Sequence, residues 1–185
     1  MARIPPANRD DVPEKERAAY DGFVNERGVK PTAGPYSLLL HMPELAQKFE
    51  AFRLCVRGEA SLSQALQEIV MLTVARDMDC AYIWYAHAAA AREAGVRGEI
   101  VDGIREKKAL GALKPDEQTA VDFARELLRN RKVSQSTFDR ANAAFGQRGT
   151  MTLTTLVGGY ASLAYFMNAY EVEAPAHATE RPLPL

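Results

Sequence analysis

Two apolar stretches, QALQEIVMLTVA from Gln64 and CAYIWYAHAAAAREA from Cys80, are separated by only four residues, Arg76 to Asp79. That short join constrains the fold more than any other feature. Neither stretch alternates as a strand would, and each is long enough for a helix, so both are predicted helical. Two helices joined so tightly must run antiparallel and pack side by side. Asp79 is expected to cap the second helix, with Cys80 in its first turn and Gly95 as its stop.

Cys80 and His87 are seven residues apart. In a helix this puts them within about 20° of one face and about 10 Å apart along the axis, with Trp84 between them. Glu68 heads the run IVMLTVA, so its carboxylate lies at a boundary or is buried on purpose. If it packs against this face from the preceding helix, a thiol, an imidazole and a carboxylate converge across the seam.

The rest of the chain also reads as helix. Residues 1 to 11 carry Pro5 and Pro6 and are expected to form an arm that could lie across a neighbour. Pro13 opens a helix that Gly28 ends, YSLLLHM is a short buried helix, and Pro43 starts one with Leu45, Phe49, Phe52 and Val56 at helical spacing. Residues 97 to 107 form a short amphipathic helix. Pro115 begins another with Val121, Phe123, Ala124, Leu127 and Leu128 as its stripe, and Ser134 caps one ended by Gly146. The last segment, TMTLTTLVGGYASLAYFMNAYEV, mixes β-branched residues into an apolar run. It is too long for one strand and lacks a hairpin turn, so it is read as a helix suited to a buried or intersubunit position. From Ala174 a proline-rich tail has no core of its own and could swap onto a partner. The expected fold class is all-α, one domain over residues 1–185.

With 185 residues and 47% apolar composition the chain can bury one sizeable core. Its net charge of -1, with no basic block interleaved with aromatics, argues against a nucleic-acid partner. The amino terminus lacks the apolar core of a signal peptide and no apolar run reaches the roughly 18 residues of a membrane span. A cytoplasmic protein without a membrane partner is therefore expected. Cys55 and Cys80 have no CxxC spacing, and His41, His87 and His177 form no metal-binding pair. Gly158 and Gly159 lack the preceding strand of a phosphate loop. Neither a metal nor a cofactor is expected, and the partners are a small-molecule substrate and further copies of the chain.

The run CAYIWYAH from Cys80 to His87, twelve residues after Glu68, resembles the carboxymuconolactone decarboxylase family, which includes the alkylhydroperoxidase D-like proteins. The resemblance extends to HMPEL, SLSQALQEIVMLTVA, AAREAGV and the segment from LTTLVGGY to Asn168, and so covers most of residues 37 to 170. It implies an alkylhydroperoxidase D-like helical bundle, oligomeric through its long helices as a dimer, trimer or hexamer, with the site close to a subunit interface. In the peroxidase branch a glutamate, a Cys-x-x-Cys pair and a histidine relay a proton. Glu68, Cys80 and His87 match three of these, while Ile83 stands at the second cysteine. A thiol cycle would then need an external thiol reductant or Cys55 as resolving partner. Cys-x-Tyr-x-Trp-x-x-His resembles a recognised variant of the family, and Thr152 stands where many relatives would carry a glutamate.

Three functions follow as expectations. The first is thiol-dependent hydroperoxide reduction, a peroxiredoxin-like activity. Cys80 attacks as a thiolate whose pKa is lowered by the helix N-terminus and His87, His87 moves the proton, and Glu68 orients the relay. The second is a cofactor-free decarboxylase or proton-shuttling enzyme acting on a lactone or carboxylate of aromatic breakdown. There Glu68 and His87 are acid and base, Cys80 only shapes the pocket, and Arg53 or Arg76 holds the substrate carboxylate. The third is a helical oligomer that binds a ligand without catalysis. Trp84, Tyr82 and His41 are expected to line the substrate pocket, although packing roles would also account for them.

Overall fold

The computed structural model describes residues 2–108, 110–111, 113–174 and 179–184. Among these the regular elements are two short 3-10 turns and eight α-helices: α1 (Arg17–Arg27), α2 (Pro35–Leu39), α3 (Pro43–Arg57), α4 (Gln64–Asp77), α5 (Ala81–Glu93), α6 (Gly98–Arg105), α7 (Pro115–Asn130) and α8 (Gln135–Ala169). The protein is all-α, as expected. Proline opens α2, α3 and α7, where the missing N–H is not needed. Ser63 and Ser134 cap α4 and α8 by accepting the N–H groups of Leu66 and Thr137. Gly28 closes α1 at a φ of 69°.

The core is built around α4. Every residue from Leu66 to Arg76 is buried, because α5, α7 and α8 pack around it. A helix apolar on all sides has no other stable position, and each buried Leu, Ile or Val contributes about 1.5–3 kcal/mol. Ser61 hydrogen-bonds Thr152 at 3.0 Å at one end of α4, and Asn168 reaches the Met78 carbonyl at 2.8 Å at the other. The second half of α8 therefore runs parallel to α4 along its whole length.

Gly146 ends one helix and the next begins directly after it, as expected: its backbone is non-helical at φ 66° and ψ 176°, and the two helices of α8 join there without a loop. The α5 cap differs from the expectation by one residue. Asp79 sits at φ 48° with its carboxylate on Arg76 at 3.0 Å and Lys107 at 3.6 Å, so Cys80 takes the cap position.

The described residues near each end lie on the body of their own chain. Ala7 donates to the Ser37 carbonyl at 2.7 Å and Arg3 to that of Tyr170 at 2.9 Å, and Ala7 and Val12 join a small core with Tyr20, Phe23, Tyr36 and Leu40. Leu183 in the tail is buried in the main core, which corrects the expectation of a tail without one. His177 and the tail residues 175–178 and 185 lie outside the described residues. Among the described residues no helix is long and apolar enough to cross a membrane.

Candidate active site

Glu68 lies in the first half of α4 and His87 in the middle of α5, at matching distances from the short join, so antiparallel packing brings them together. His87 Nδ1 is 2.8 Å from Glu68 Oε2. The other oxygen, Oε1, accepts a 2.7 Å hydrogen bond from Arg57 Nη2 at the end of α3. Glu68 is fully buried, while the side chains of His87 and Arg57 keep 12% and 24% exposure. A carboxylate so placed is tolerable because both oxygens accept charge-assisted bonds. A carboxylate oxygen accepts, so Nδ1 carries a proton, and in the neutral ring it is Nε2 that holds the free lone pair.

Tyr160 of α8 completes the cluster. Its ring meets that of His87 edge to face at 5.2 Å, and its hydroxyl accepts from Arg57 Nη1 at 3.4 Å. Burial pushes the phenol pKa up, against the neighbouring Arg57, so Tyr160 is a proton donor at neutral pH. Arg57 and Tyr160 also line a narrow apolar groove between α3 and α8, with room for about one water molecule. Sequence reasoning named neither residue. The available signal was the four-residue spacing from Arg53 to Arg57, which places two guanidinium groups on one face of α3.

No hydrogen bond links Cys80 to Glu68 or His87 among the described residues; Cys80 stands at the base of α5, about 10 Å along the helix from His87, the offset that the spacing predicts. Its thiol is buried, and burial pushes its pKa up more than the backbone N–H groups of Ile83 and Tyr82 pull it down. This is the opposite direction from the activated thiolate expected at a helix N-terminus. Desolvation outweighs the dipole because the site is closed to water. Ile83, one turn before His87, occupies the intervening part of the helix and is also buried.

The aromatic candidates have structural partners. Trp84 is fully buried and its Nε1 donates to the Arg181 carbonyl at 2.9 Å. His41 Nε2 meets the Pro5 carbonyl at 3.0 Å and so fastens the amino-terminal arm. Tyr82 approaches Gly34 so closely that a Cβ there would lie 2.2 Å from its hydroxyl. Of the two candidate cations, Arg53 lines the groove with Arg57, whereas Arg76 is buried at the end of α4 against Asp79. Thr152 bonds Ser61 and the Arg148 carbonyl.

Cys55 is exposed on α3 and lines a shallow cleft with Arg148, Met151 and Thr152. Since Thr152 lies beside the start of α4 and Cys80 follows its end, the two thiols are separated by about the length of α4, roughly 20 Å. A disulfide needs Cα atoms within about 7 Å. Cys55 therefore cannot resolve Cys80 within one subunit. Among the described residues no three His, Cys, Asp or Glu side chains are grouped as metal ligands.

Residues 43–126 match the model of the carboxymuconolactone decarboxylase family. No curated protein matches the chain. Among solved structures, an uncharacterized peroxidase-related protein from Ralstonia eutropha JMP134 with an alkylhydroperoxidase AhpD core is similar with a TM-score of 0.75 at 17% identity, covering 95% of this chain and 93% of that one. An uncharacterized peroxidase-related protein from Silicibacter sp. TM1040 gives a TM-score of 0.72 at 17% identity, with 91% and 89% covered. A Cys-to-Ala variant of the debrominase Bmp8 in complex with 2,3,4-tribromopyrrole gives 0.66 at 15% identity, with 94% and 91% covered. At these identities the likeness is one of fold.

Proposed function

The chain belongs to the carboxymuconolactone decarboxylase family, and on that premise we propose that Glu68 and His87 are the acid and base of a small-molecule enzyme working by proton transfer. The observation that carries this reading is the 2.8 Å contact between a fully buried carboxylate and an imidazole. Arg57 fixes the carboxylate, the carboxylate fixes the Nδ1 tautomer, and Nε2 exchanges the proton with substrate. Tyr160 supplies a neutral donor for an oxygen that gains charge during the reaction. For a decarboxylation, the bond to the leaving carboxylate breaks with release of carbon dioxide. The electron pair moves into a conjugated carbonyl, and a proton delivered through His87 closes the carbon. Cys80 shapes the fold around this centre.

The test is carbon dioxide release from carboxylated unsaturated lactones by the wild type, Cys80→Ala and His87→Gln proteins. Activity is expected to survive in Cys80→Ala and to fall about 10²- to 10⁴-fold in His87→Gln. Loss with Cys80→Ala and retention with His87→Gln would overturn the reading.

A thiol function is the second reading. It draws on the peroxidase-related and debrominase neighbours and on the two backbone N–H groups that favour a Cys80 thiolate. Its mark is hydroperoxide consumption that needs Cys80 and an added thiol, and the buried, pKa-raised thiol weighs against it.

A further inference from the structure

Gln67 stands beside Glu68 on α4 and is only 4% exposed, yet it takes no direct part in the Glu68–His87 contact. A glutamine buried in an apolar helix needs partners for its amide. Its Nε2 donates towards three carbonyls, those of Leu62 at 3.1 Å, Arg57 at 3.3 Å and Glu59 at 3.5 Å. All three accept, so the NH₂ side of the amide must face them, and its hydrogens are shared among the three oxygens.

These carbonyls line the turn between α3 and α4. Arg57 is the last residue of α3, and the last carbonyls of a helix have no partner within it. Helical side chains lean towards the N-terminus of their own helix, so Gln67 reaches back to that turn. The turn is also tied to α8, where Arg148 donates to Glu59 at 2.5 Å and Thr152 accepts from Ser61 at 3.0 Å.

Arg57 is therefore gripped twice by consecutive residues of α4. Gln67 holds its carbonyl, and Glu68 holds its guanidinium at 2.7 Å. The arginine side chain is long and keeps 24% exposure, so with a loose root it would be free to swing into water. With the root fixed, Nη2 stays on Glu68 Oε1 and Nη1 on the Tyr160 hydroxyl. That leaves Oε2 turned to His87 Nδ1.

We infer that Gln67 is a positioning residue for the Glu68–His87 pair, acting through Arg57 by holding the α3–α4 turn. The inference rests on the proton-transfer reading of that pair and adds to it a residue that acts only through the turn.

The experiment uses the isotope-labelled full chain. Gln67→Met keeps the length without donors, and Gln67→Glu turns acceptors towards the three carbonyls. By NMR, the Arg57 Nη hydrogens should exchange with water about tenfold faster in Gln67→Met and faster still in Gln67→Glu. The His87 ring nitrogens should move from the Nδ1–H form towards a mixture of tautomers. Turnover of carboxylated unsaturated lactones should fall about tenfold in kcat with KM unchanged. Arg57→Gln should lower kcat at least as far, and adding Gln67→Met to it should lower it no further, because the two act as one unit. A merely structural Gln67 would lower the Tm and leave Arg57 exchange, the tautomer and kcat alone. That outcome, or additive losses in the double variant, would overturn the inference.

The wild type provides a reading that needs no variant to fold. On gradual warming the Gln67 NH₂ and Arg57 Nη hydrogens should lose protection together; Arg57 hydrogens that outlast those of Gln67 would overturn the inference as well. His87→Gln separates the two ideas. If Gln67→Met frees Arg57 and shifts the His87 tautomer while His87→Gln keeps full turnover, the proton-transfer reading fails alone. If His87→Gln abolishes turnover while Gln67→Met keeps both kcat and Arg57 protection, the role of Gln67 fails alone.

Discussion

Glu68 and His87 meet at 2.8 Å across the seam of α4 and α5, with Arg57 on the far oxygen of the same carboxylate. Glu68→Gln keeps the volume but replaces one acceptor oxygen by an NH₂ group, so either that group faces a donor or His87 must move its proton to Nε2 and accept at Nδ1, losing the tautomer the wild type sets. We expect a loss of about 1–3 kcal/mol in urea unfolding and a fall in turnover of about 10²-fold or more. A variant as stable and as active as the wild type would remove Glu68 from the site.

The two cysteines should differ sharply in reactivity. Cys55 is exposed and Cys80 is buried with its pKa pushed up. Iodoacetamide at pH 7 followed by mass spectrometry should label Cys55 quickly and Cys80 only at the rate of unfolding. A raised thiol pKa means that the folded state holds the proton more tightly. Its contribution is full below the unfolded value of about 8.5 and is lost as pH rises beyond it. Cys80→Ala should flatten that alkaline limb of the stability curve; rapid labelling of Cys80 in the folded protein would contradict this account.

Acid stability should depend on Glu50. Hydrogen bonds from Arg53, then from the Tyr36 hydroxyl, hold its carboxyl down at about 2 from an ordinary 4.5. The stabilisation is fully present above 4.5 and disappears as pH falls from there towards 2. In Glu50→Gln, unfolding free energy measured across that interval should be nearly independent of this site, and an unaltered acid limb would count against the pairing.

Trp84 is the chain's sole tryptophan, and its indole N–H ends on the Arg181 carbonyl. Arg92 on Glu180 at 2.9 Å and Arg105 on the Pro182 carbonyl at 2.7 Å hold the same tail. Deleting residues 179 to 185 should open the indole to water and remove Leu183 from the core, at a cost of about 1.5–3 kcal/mol. A red shift in tryptophan emission and a lower Tm should report it. Unchanged emission would show that this contact does not hold in solution.

The helices were legible because their signals are local. Pro43 and Pro115, Ser63 and Ser134, and the unbroken run from Ile69 to Ala75 each act within a few residues. The pairing of Glu68 with His87 was also legible, since the short join fixes which residues of two antiparallel helices can meet. Arg57 and Tyr160 were not, because they arrive from α3 and α8, and no local pattern says which turn of a distant helix faces a buried carboxylate. The pKa of Cys80 was misjudged for a related reason. The helix N-terminus is visible in the sequence, whereas the depth at which it lies depends on everything packed over it. The tail behaved likewise: its composition gave no sign that Leu183 would join the core or that Arg181 would complete an indole.

The parallel course of α4 and α8 keeps the thiols at opposite ends of the bundle, with Cys55 near Thr152 and Cys80 beyond Asp77. A subunit arranged in this way has no means of storing two oxidising equivalents as an internal disulfide. Any sulfenic acid formed at Cys80 must be discharged by a molecule that enters from outside, or it stays open to further oxidation.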